Sequence, residues 1–313
     1  MKIFITGAQG FVGKNLVEWF LRNGYDVLFP GFEELDLTCA DSVQAYLEAH
    51  QVDVIVHSAT TLRNGTDYPQ DVCENNLRMF FNLVRKMKPS TKLINFGSGS
   101  EYSRQYWHKK MPETFFDTHV PEDPHSFSKY VISKYIENNT HQNMVTLRIF
   151  GIFGKHEDYR YKFISNAICK NLLHLDIVIN QNVNYDYIYV DDFCDVVKYF
   201  VENDVAHRSY NVTPTASIDL ITIASLINEI SDFKSPIHVL NDGVGVDYSG
   251  DNARVLSECS GLEFMTYKNS ISDLYAHYKT NVSSLNKAAL VDDDYLNYAK
   301  NLRAEYFSKK TNS

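Results

Sequence analysis

Two stretches of this chain hold residues whose types and spacing suit chemistry. The first is Gly7-Ala8-Gln9-Gly10-Phe11-Val12-Gly13. Glycine at its first position allows a tight turn, and at the second it lets backbone N–H groups approach a phosphate. At the third it lets a following helix pack closely on the preceding strand. Gly7, Gly10, Phe11, Val12 and Gly13 are therefore candidate contacts to a dinucleotide pyrophosphate, with the bare N–H groups of a helix start beside it. The second stretch is Gly97-Ser98-Gly99-Ser100-Glu101-Tyr102. Small hydroxyl residues at the carboxyl end of a buried strand lie where ligands bind in open α/β sheets.

The elements that must position these groups are legible from periodicity. Ile3, Phe4 and Ile5 form a strand before the glycines, and Phe11, Val12, Leu16, Trp19 and Phe20 form a helical face after them. A short second strand at Asp26 to Phe29 stops at Pro30-Gly31. Glu33 to Thr38 reads as a further short strand, followed by a helix with Asp41 as its N-cap. Asp36, with Leu37 beside it, is placed to contact an adenine, and a turn-forming role for Asp36 is the alternative. Val52 to Ala59 is a β-branched buried strand whose small end at Ala59 suits close approach of a cofactor. The polar loop Thr61 to Pro69 is placed to close over a ligand. A helix from Asp71 to Met87 carries Asn75-Asn76 on an otherwise apolar face. A buried Asn76 needs partners, either to stitch backbone together or to order the reacting groups. The strand Lys92 to Phe96, the helix beginning at His125 and the strand Met144 to Arg148 complete the alternation.

This pattern predicts an α/β fold, a Rossmann-type doubly wound parallel sheet with a smaller mixed C-terminal substrate lobe. The boundaries expected are 1–154 and about 184–203 for the dinucleotide-binding domain, with 155–183 and 204–313 forming the substrate lobe. Ser217 to Ser231 reads as a helix capped by Ser217 or Asp219, and Asp292 to Lys309 as a charged terminal helix.

Bulk properties narrow the partners. The chain has 313 residues and a net charge of −9, and it lacks a basic stripe, so no nucleic-acid partner and no membrane surface is expected. Five scattered cysteines argue against a disulfide framework or a zinc site, and no metal is expected. Met1 leads directly into the first strand and no apolar run is long enough to span a bilayer, so a cytoplasmic protein is expected.

Together the segments TGAQGFVG, HSAT, FGSGSEY, the Ser-Lys helix, LRIFGIFG and DYIYVDD resemble the extended short-chain dehydrogenase/reductase superfamily. The resembling branch is the NAD-dependent epimerase/dehydratase family acting on nucleotide-diphosphate sugars, and the likeness runs to about Thr280. The resemblance implies NAD or NADP as cofactor, the choice between them open, and a homodimer formed through the helices that carry Asn76 and Lys129. It also implies a catalytic hydroxyl residue, a tyrosine and a lysine, the last two spaced Tyr-x-x-x-Lys on one helix face. That spacing occurs literally at Tyr130 and Lys134. A second register, His125 with Lys129, fits the family's flanking pattern and the helix length better, and it puts histidine where relatives have tyrosine.

On this reading Ser98 binds the sugar oxygen, with Ser100 as runner-up. Lys129 holds the nicotinamide ribose, and His125 delivers a proton although the neighbouring lysine pushes it towards neutrality. Tyr102 and Tyr130 are alternative phenols. Glu101 is a candidate base for C–H abstraction, or else a solvated or capping carboxylate. Arg254 is a candidate diphosphate clamp, and Tyr185 and Arg160 are weaker contacts. The dehydratase acid pair is absent, its place taken by Gly99-Ser100. The reaction expected is reduction of a 4-keto-6-deoxyhexose intermediate in polysaccharide biosynthesis. The alternatives are a nucleotide-sugar 4-epimerase and, because of His125, a catalytically silent binding protein.

Overall fold

Apolar runs separated by amphipathic stretches fold as alternating strands and helices through the first half of the chain. The computed structural model describes residues 1–63, 65 and 67–301. The first half comprises β1 (Lys2–Thr6), α1 (Phe11–Arg22), β2 (Asp26–Leu28), α2 (Ala40–Ala49), β3 (Val54–His57), α3 (Val72–Lys86), β4 (Lys92–Ser98), α4 (Pro124–Asn138) and β5 (Met144–Ile149). There follow β6 (Gly151–Phe153), α5 (Phe163–Leu172), β7 (Ile177–Asn182), β8 (Asn184–Tyr185), β9 (Tyr187–Tyr189), α6 (Val190–Glu202) and β10 (Ser209–Val212). The chain continues through β11 (Ile218–Asp219), α7 (Leu220–Ile230), β12 (Ile237–Val244), α8 (Ala253–Glu258), α9 (Tyr267–Thr280) and α10 (Lys287–Asp292).

Six strands form one parallel sheet in the order β2-β1-β3-β4-β5-β10. Successive side chains of a strand point to opposite faces, and here both faces are covered. Ile3, Ile5, Val54, Val56, Ile94 and Phe96 pack with Leu16 and Phe20 of α1 and Phe193 and Val197 of α6. Phe4, Ile55 and Leu93 pack with Val43 of α2, Phe80 and Leu83 of α3 and Ile132 and Ile136 of α4. Burial on both sides explains why these strands read as continuous apolar runs, each large side chain contributing roughly 1.5–3 kcal/mol. After β1 the chain runs outward to β2, then returns to β3 on the other side of β1. The carboxyl ends of β1 and β3 therefore flank the point where the winding reverses, which is where open α/β sheets bind ligands.

Four expectations are corrected. No strand forms over residues 33–38; Asp36 Oδ1 accepts from Thr38 N (2.8 Å) and Thr38 Oγ1 (2.7 Å), which closes a turn. The segment around β10, expected in the second lobe, is the sixth strand of the main sheet and pairs in register with β5. Asp41 lies in the first turn of α2, with Cys39 as N-cap. As expected, Asp219 caps α7, accepting from Thr222 N. The expected terminal helix from 292 is interrupted: α10 ends at Asp293 in the left-handed region (φ 53°), and helical backbone resumes over 294–301. The rest of that expected helix lies outside the described residues.

The second lobe packs α5, α7 and α9 around Ile168, Ile223, Ile227, Ile271 and Leu274. It is tied to the loop after β4 by Asp186, whose buried carboxylate accepts from Lys110 Nζ (2.8 Å), Ser217 Oγ (2.5 Å) and Gly250 N (3.0 Å). Among the described residues no helix is long and apolar enough to cross a membrane, and no three His, Cys, Asp or Glu side chains gather where they could hold a metal.

Candidate active site

The glycine turn has the shape its sequence implies. Gly7 is left-handed (φ +66°), and a Cβ there would lie 2.7 Å from Ala59 Cα, so the turn lies directly against the end of β3. A Cβ on Gly13 would collide with the Gly7 carbonyl oxygen, so only glycine lets α1 pack this close to the turn. Gly10 N donates to Gly7 O (3.0 Å). Gly10 is the N-cap of α1 and supplies no side-chain cap, and the first turn carries no acid. The N-terminal donors of α1 and its dipole are thus left for an anion. These residues fit the pyrophosphate of a dinucleotide. Thr6 Oγ1 lies 2.9 Å from His57 Nδ1 and accepts from Ala59 N (3.2 Å), which fixes the far wall of the crevice.

Ser98 ends β4, two strands from β1, and begins a short 3₁₀ turn. Its Oγ accepts from Ser100 N (3.1 Å), and its own N–H donates to Glu101 Oε1 (2.9 Å). Lys129 projects from α4 under the same strand, and its Nζ donates to Phe96 O (2.8 Å). Desolvation is the main cause that brings its pKa down to about 8, with Glu101 opposing the shift. Lys134 points elsewhere. It pairs with Asp117 (2.8 Å), to which the Tyr130 hydroxyl also donates, on a half-exposed surface. Of the two Lys registers, the structure places Lys129 at the strand end and Lys134 outside it.

His125 lies one turn before Lys129. Its ring stacks on Tyr68 (centroids 4.1 Å apart, planes 8°), and Arg63 covers the same Tyr68 ring at 4.3 Å. Arg63 and Tyr68 come from the loop expected to close over a ligand; Asn64 and Thr66 of that loop lie outside the described residues. Burial, then the charges of Lys129 and Arg63, bring the His125 pKa down to about 3. The direction is the one expected from the neighbouring lysine, with burial as the larger cause: at neutral pH the ring is uncharged, and a neutral imidazole can donate a hydrogen bond. Its Nδ1 is buried with no hydrogen-bond partner among the described residues.

Asn76 joins these parts. Its Oδ1 accepts from Thr61 N (2.8 Å) and Thr61 Oγ1 (3.0 Å). Its Nδ2 donates to Ser128 Oγ (2.9 Å), which donates to His125 O (2.7 Å). Asn76 therefore both stitches backbone and orders the histidine turn.

Four expected residues are not brought to the crevice. Glu101 is fully buried and paired with the equally buried Arg148 (Oε2 to Nε 2.7 Å), so it is an internal counter-ion and no base for a sugar C–H. Arg254 donates to Ser209 O (3.0 Å), at the amino end of β10, and faces Glu113. Ser98 is level with Val212 through Ile149, three residues further along that strand, so Arg254 lies roughly 10 Å towards the wrong end to clamp a diphosphate there. Tyr102 donates from a buried hydroxyl to Asn211 (2.7 Å) and is no substitute phenol. Arg160 is held by Asp158 (2.7 Å). Asp36 Oδ1 closes the turn described above, which was the alternative reading of that residue, while Leu37 is buried and gives its carbonyl to Asn82 Nδ2 (2.9 Å).

Residues 3–213 match the NAD dependent epimerase/dehydratase family. The chain belongs to that family. It is 29% identical over 253 residues to a GDP-6-deoxy-D-talose 4-dehydrogenase of Aggregatibacter actinomycetemcomitans, covering 74% of this chain and 80% of the relative. It is 24% identical over 225 residues to a GDP-L-colitose synthase of Yersinia pseudotuberculosis, covering 65% and 73%. A GDP-mannoheptose C4 reductase from Campylobacter jejuni with NADP bound shares the fold at a TM-score of 0.77 and 20% identity, over 89% of this chain and 98% of that one. As a family member the chain is an enzyme that works with a nicotinamide dinucleotide on nucleotide sugars.

Proposed function

We propose that this enzyme reduces the 4-keto group of a GDP-linked 4-keto-6-deoxyhexose with NADH or NADPH. The observation that carries the reading is that Lys129 Nζ bonds the Phe96 carbonyl, two residues before Ser98 at the end of β4, in the same sheet as the turn built by Gly7, Gly13 and Ala59. The guanosine diphosphate and the 4-position come from the relatives, whose names join GDP sugars to oxidation or reduction at C4. The turn and the α1 N-terminus hold the pyrophosphate, and Lys129 takes the nicotinamide ribose. Ser98 and the neutral imidazole of His125 hydrogen-bond the carbonyl oxygen, with Ser100 beside them. When bound, the dinucleotide supplies a hydride.

The enzyme acts in a reducing cytoplasm as a homodimer and serves polysaccharide biosynthesis. Five cysteines, all free, support the compartment. Cys73, Leu77 and Phe81 on α3, with Phe127, Val131 and Tyr135 on the adjacent α4, recur every four residues and keep part of their surface exposed. Two such stripes side by side suit a second copy of the same helix pair.

The test is to mix the purified protein with GDP-4-keto-6-deoxymannose and NADPH or NADH. Loss of dihydronicotinamide absorbance matched by sugar alcohol supports the reading. Cofactor binding with no absorbance loss refutes it in favour of a silent binding protein. Sugar interconversion without net cofactor consumption refutes it in favour of an epimerase.

A further inference from the structure

A phenol does reach Ser98, from the opposite side of the cleft. Tyr248 lies between β12 and α8, and its Oη is 3.4 Å from Ser98 Oγ. Its main chain is fixed on both sides: Tyr248 N donates to Asn184 O (3.1 Å), and its carbonyl accepts from Asp186 N (3.3 Å). Its ring stacks on Trp107 (4.0 Å, 27°) and packs against Phe150 (5.2 Å). Gly99 makes the room, since a Cβ there would lie 2.9 Å from Tyr248 Oη and 2.6 Å from Phe150.

The polar groups around this contact are incompletely paired. Ser98 Oγ already accepts from Ser100 N, so its proton is available to Tyr248 or to a ligand. Ser100 Oγ, Trp107 Nε1 and His125 Nδ1 are buried with no hydrogen-bond partner among the described residues. Buried polar atoms of a folded protein are normally paired. Two of these orphans, Ser100 Oγ beside Ser98 and the indole nitrogen of the Trp107 that stacks on Tyr248, belong to residues adjoining this loose hydroxyl pair and mark a place built to receive the hydroxyls of a ligand.

We propose that Tyr248 is the proton donor of the carbonyl reduction, serving from the second lobe the role that a tyrosine on α4 would serve from the sheet side. The inference rests on the ketosugar reductase reading. As hydride from the dinucleotide adds to C4, a C–H bond forms and the carbonyl π pair moves onto O4, held by Ser98. The Tyr248 O–H bond then breaks, an O4–H bond forms, and the resulting phenolate regains a proton from solvent. Ketone, hydride and proton become a secondary alcohol, and the reduced nicotinamide leaves oxidised. Burial pushes the phenol well above its usual range, so Tyr248 carries its proton at neutral pH. An alkoxide is a far stronger base than a phenolate, so the transfer runs downhill.

The decisive variant is Tyr248→Phe in the full chain, which keeps the ring on Trp107 and removes only the hydroxyl. With GDP-4-keto-6-deoxymannose and NADPH, kcat is expected to fall by about 10²–10⁴-fold with KM changed little. Replacing Tyr248 with a fluorinated tyrosine, which changes phenol acidity and almost nothing else, is expected to shift kcat and its solvent isotope effect; a structural role would move neither. Trp107 is one of only two tryptophans, the other being Trp19 in the core, so its emission reports binding of the sugar nucleotide independently of turnover. A Tyr248→Phe enzyme that binds by this signal and turns over within threefold of wild type overturns the donor role alone. A wild-type protein that shows neither the Trp107 response nor turnover overturns the reductase reading, and the donor with it.

Discussion

Replacing Glu101 with glutamine separates a structural carboxylate from a catalytic one. In the structure Glu101 and Arg148 are both fully buried, with Oε2 2.7 Å from Nε. Arg148 Nη2 also donates to Glu137 (2.8 Å), which is 30% exposed, Nη1 has no partner among the described residues, and Phe116 lies 4.1 Å from the guanidinium carbon. Removing one partner of a buried pair costs about 3–5 kcal/mol because the other charge is left uncompensated. Two unit charges about 4 Å apart at an effective dielectric of 20 give a similar figure, roughly 4 kcal/mol. Glu137 remains and the amide oxygen still accepts from Ser98 N, so Glu101→Gln is expected to cost about 2–4 kcal/mol. Urea unfolding measures this directly, and a Glu101→Leu, Arg148→Met double substitution should recover most of the loss. Because Glu101 holds the Ser98 backbone, kcat of the folded variant should fall by no more than about tenfold. Unfolding free energy within about 0.5 kcal/mol of wild type, together with a kcat loss beyond about 1,000-fold, would refute the reasoning and return Glu101 to chemistry.

The remaining predictions concern two buried basic side chains and the glycine turn. His57 is buried and its pKa is brought down to about 3 by desolvation and then by Lys129. Below about pH 6.5 the unfolded chain takes up a proton there that the folded chain refuses, so stability falls by up to about 1.4 kcal/mol per pH unit towards pH 3 and is unaffected above pH 7. His125 acts in the same direction, and His57→Gln should flatten the acid limb of a urea-midpoint against pH plot. Lys129 bears a buried charge whose cost is complete below about pH 8 and fades towards 10.5. Lys129→Met should therefore raise stability by roughly 1–3 kcal/mol at pH 7 while abolishing turnover, read by thermal unfolding and assay of one preparation. Gly13→Ala drives a methyl into the Gly7 carbonyl. It should weaken NADPH binding about ten- to a hundredfold in a fluorescence titration, with sugar-nucleotide quenching of Trp107 retained.

What could be read from the sequence was local. The glycine turn and its flanking strand and helix lie in one continuous stretch, Lys2 to Arg22, so spacing alone conveyed their geometry. Lys129 was also legible, because the length of α4 before β5 favours that register over Tyr130 and Lys134. Glu101 was not legible: its partner Arg148 is 47 residues away and comes alongside only because Gly97 of β4 pairs with Arg148 of β5. Arg254 was misplaced for a related reason, since nothing local shows that β10 joins the main sheet and carries α8 to its amino end. The effect of Lys129 on His125 was legible, but the burial was not, since Tyr68, which stacks on the ring, and Arg63, which adds its charge, come from a loop without periodicity. Tyr248 gave no signal at all. It stands in an irregular stretch beyond β12, and only the folded second lobe brings it to Ser98.

That placement changes what holds the reacting groups in line. His125 and Lys129 share one helix, so their separation is set by helical rise and is insensitive to the second lobe. Tyr248 shares no element with Ser98. Their 3.4 Å contact depends on the seam formed by Trp107, Phe150 and Tyr248, and on Asp186, which binds Lys110 of the loop after β4, Ser217, and Gly250 just beyond Tyr248. A sugar entering between Ser98 and Tyr248 must widen a pair that is already long for a hydrogen bond. The lobe can yield by small shifts of ring against ring, which cost little, whereas the Asp186 knot resists larger ones because the fully buried Asp186 carboxylate would lose its donors. Proton donation is thus coupled to the seating of the second lobe, while hydride transfer is governed by the sheet.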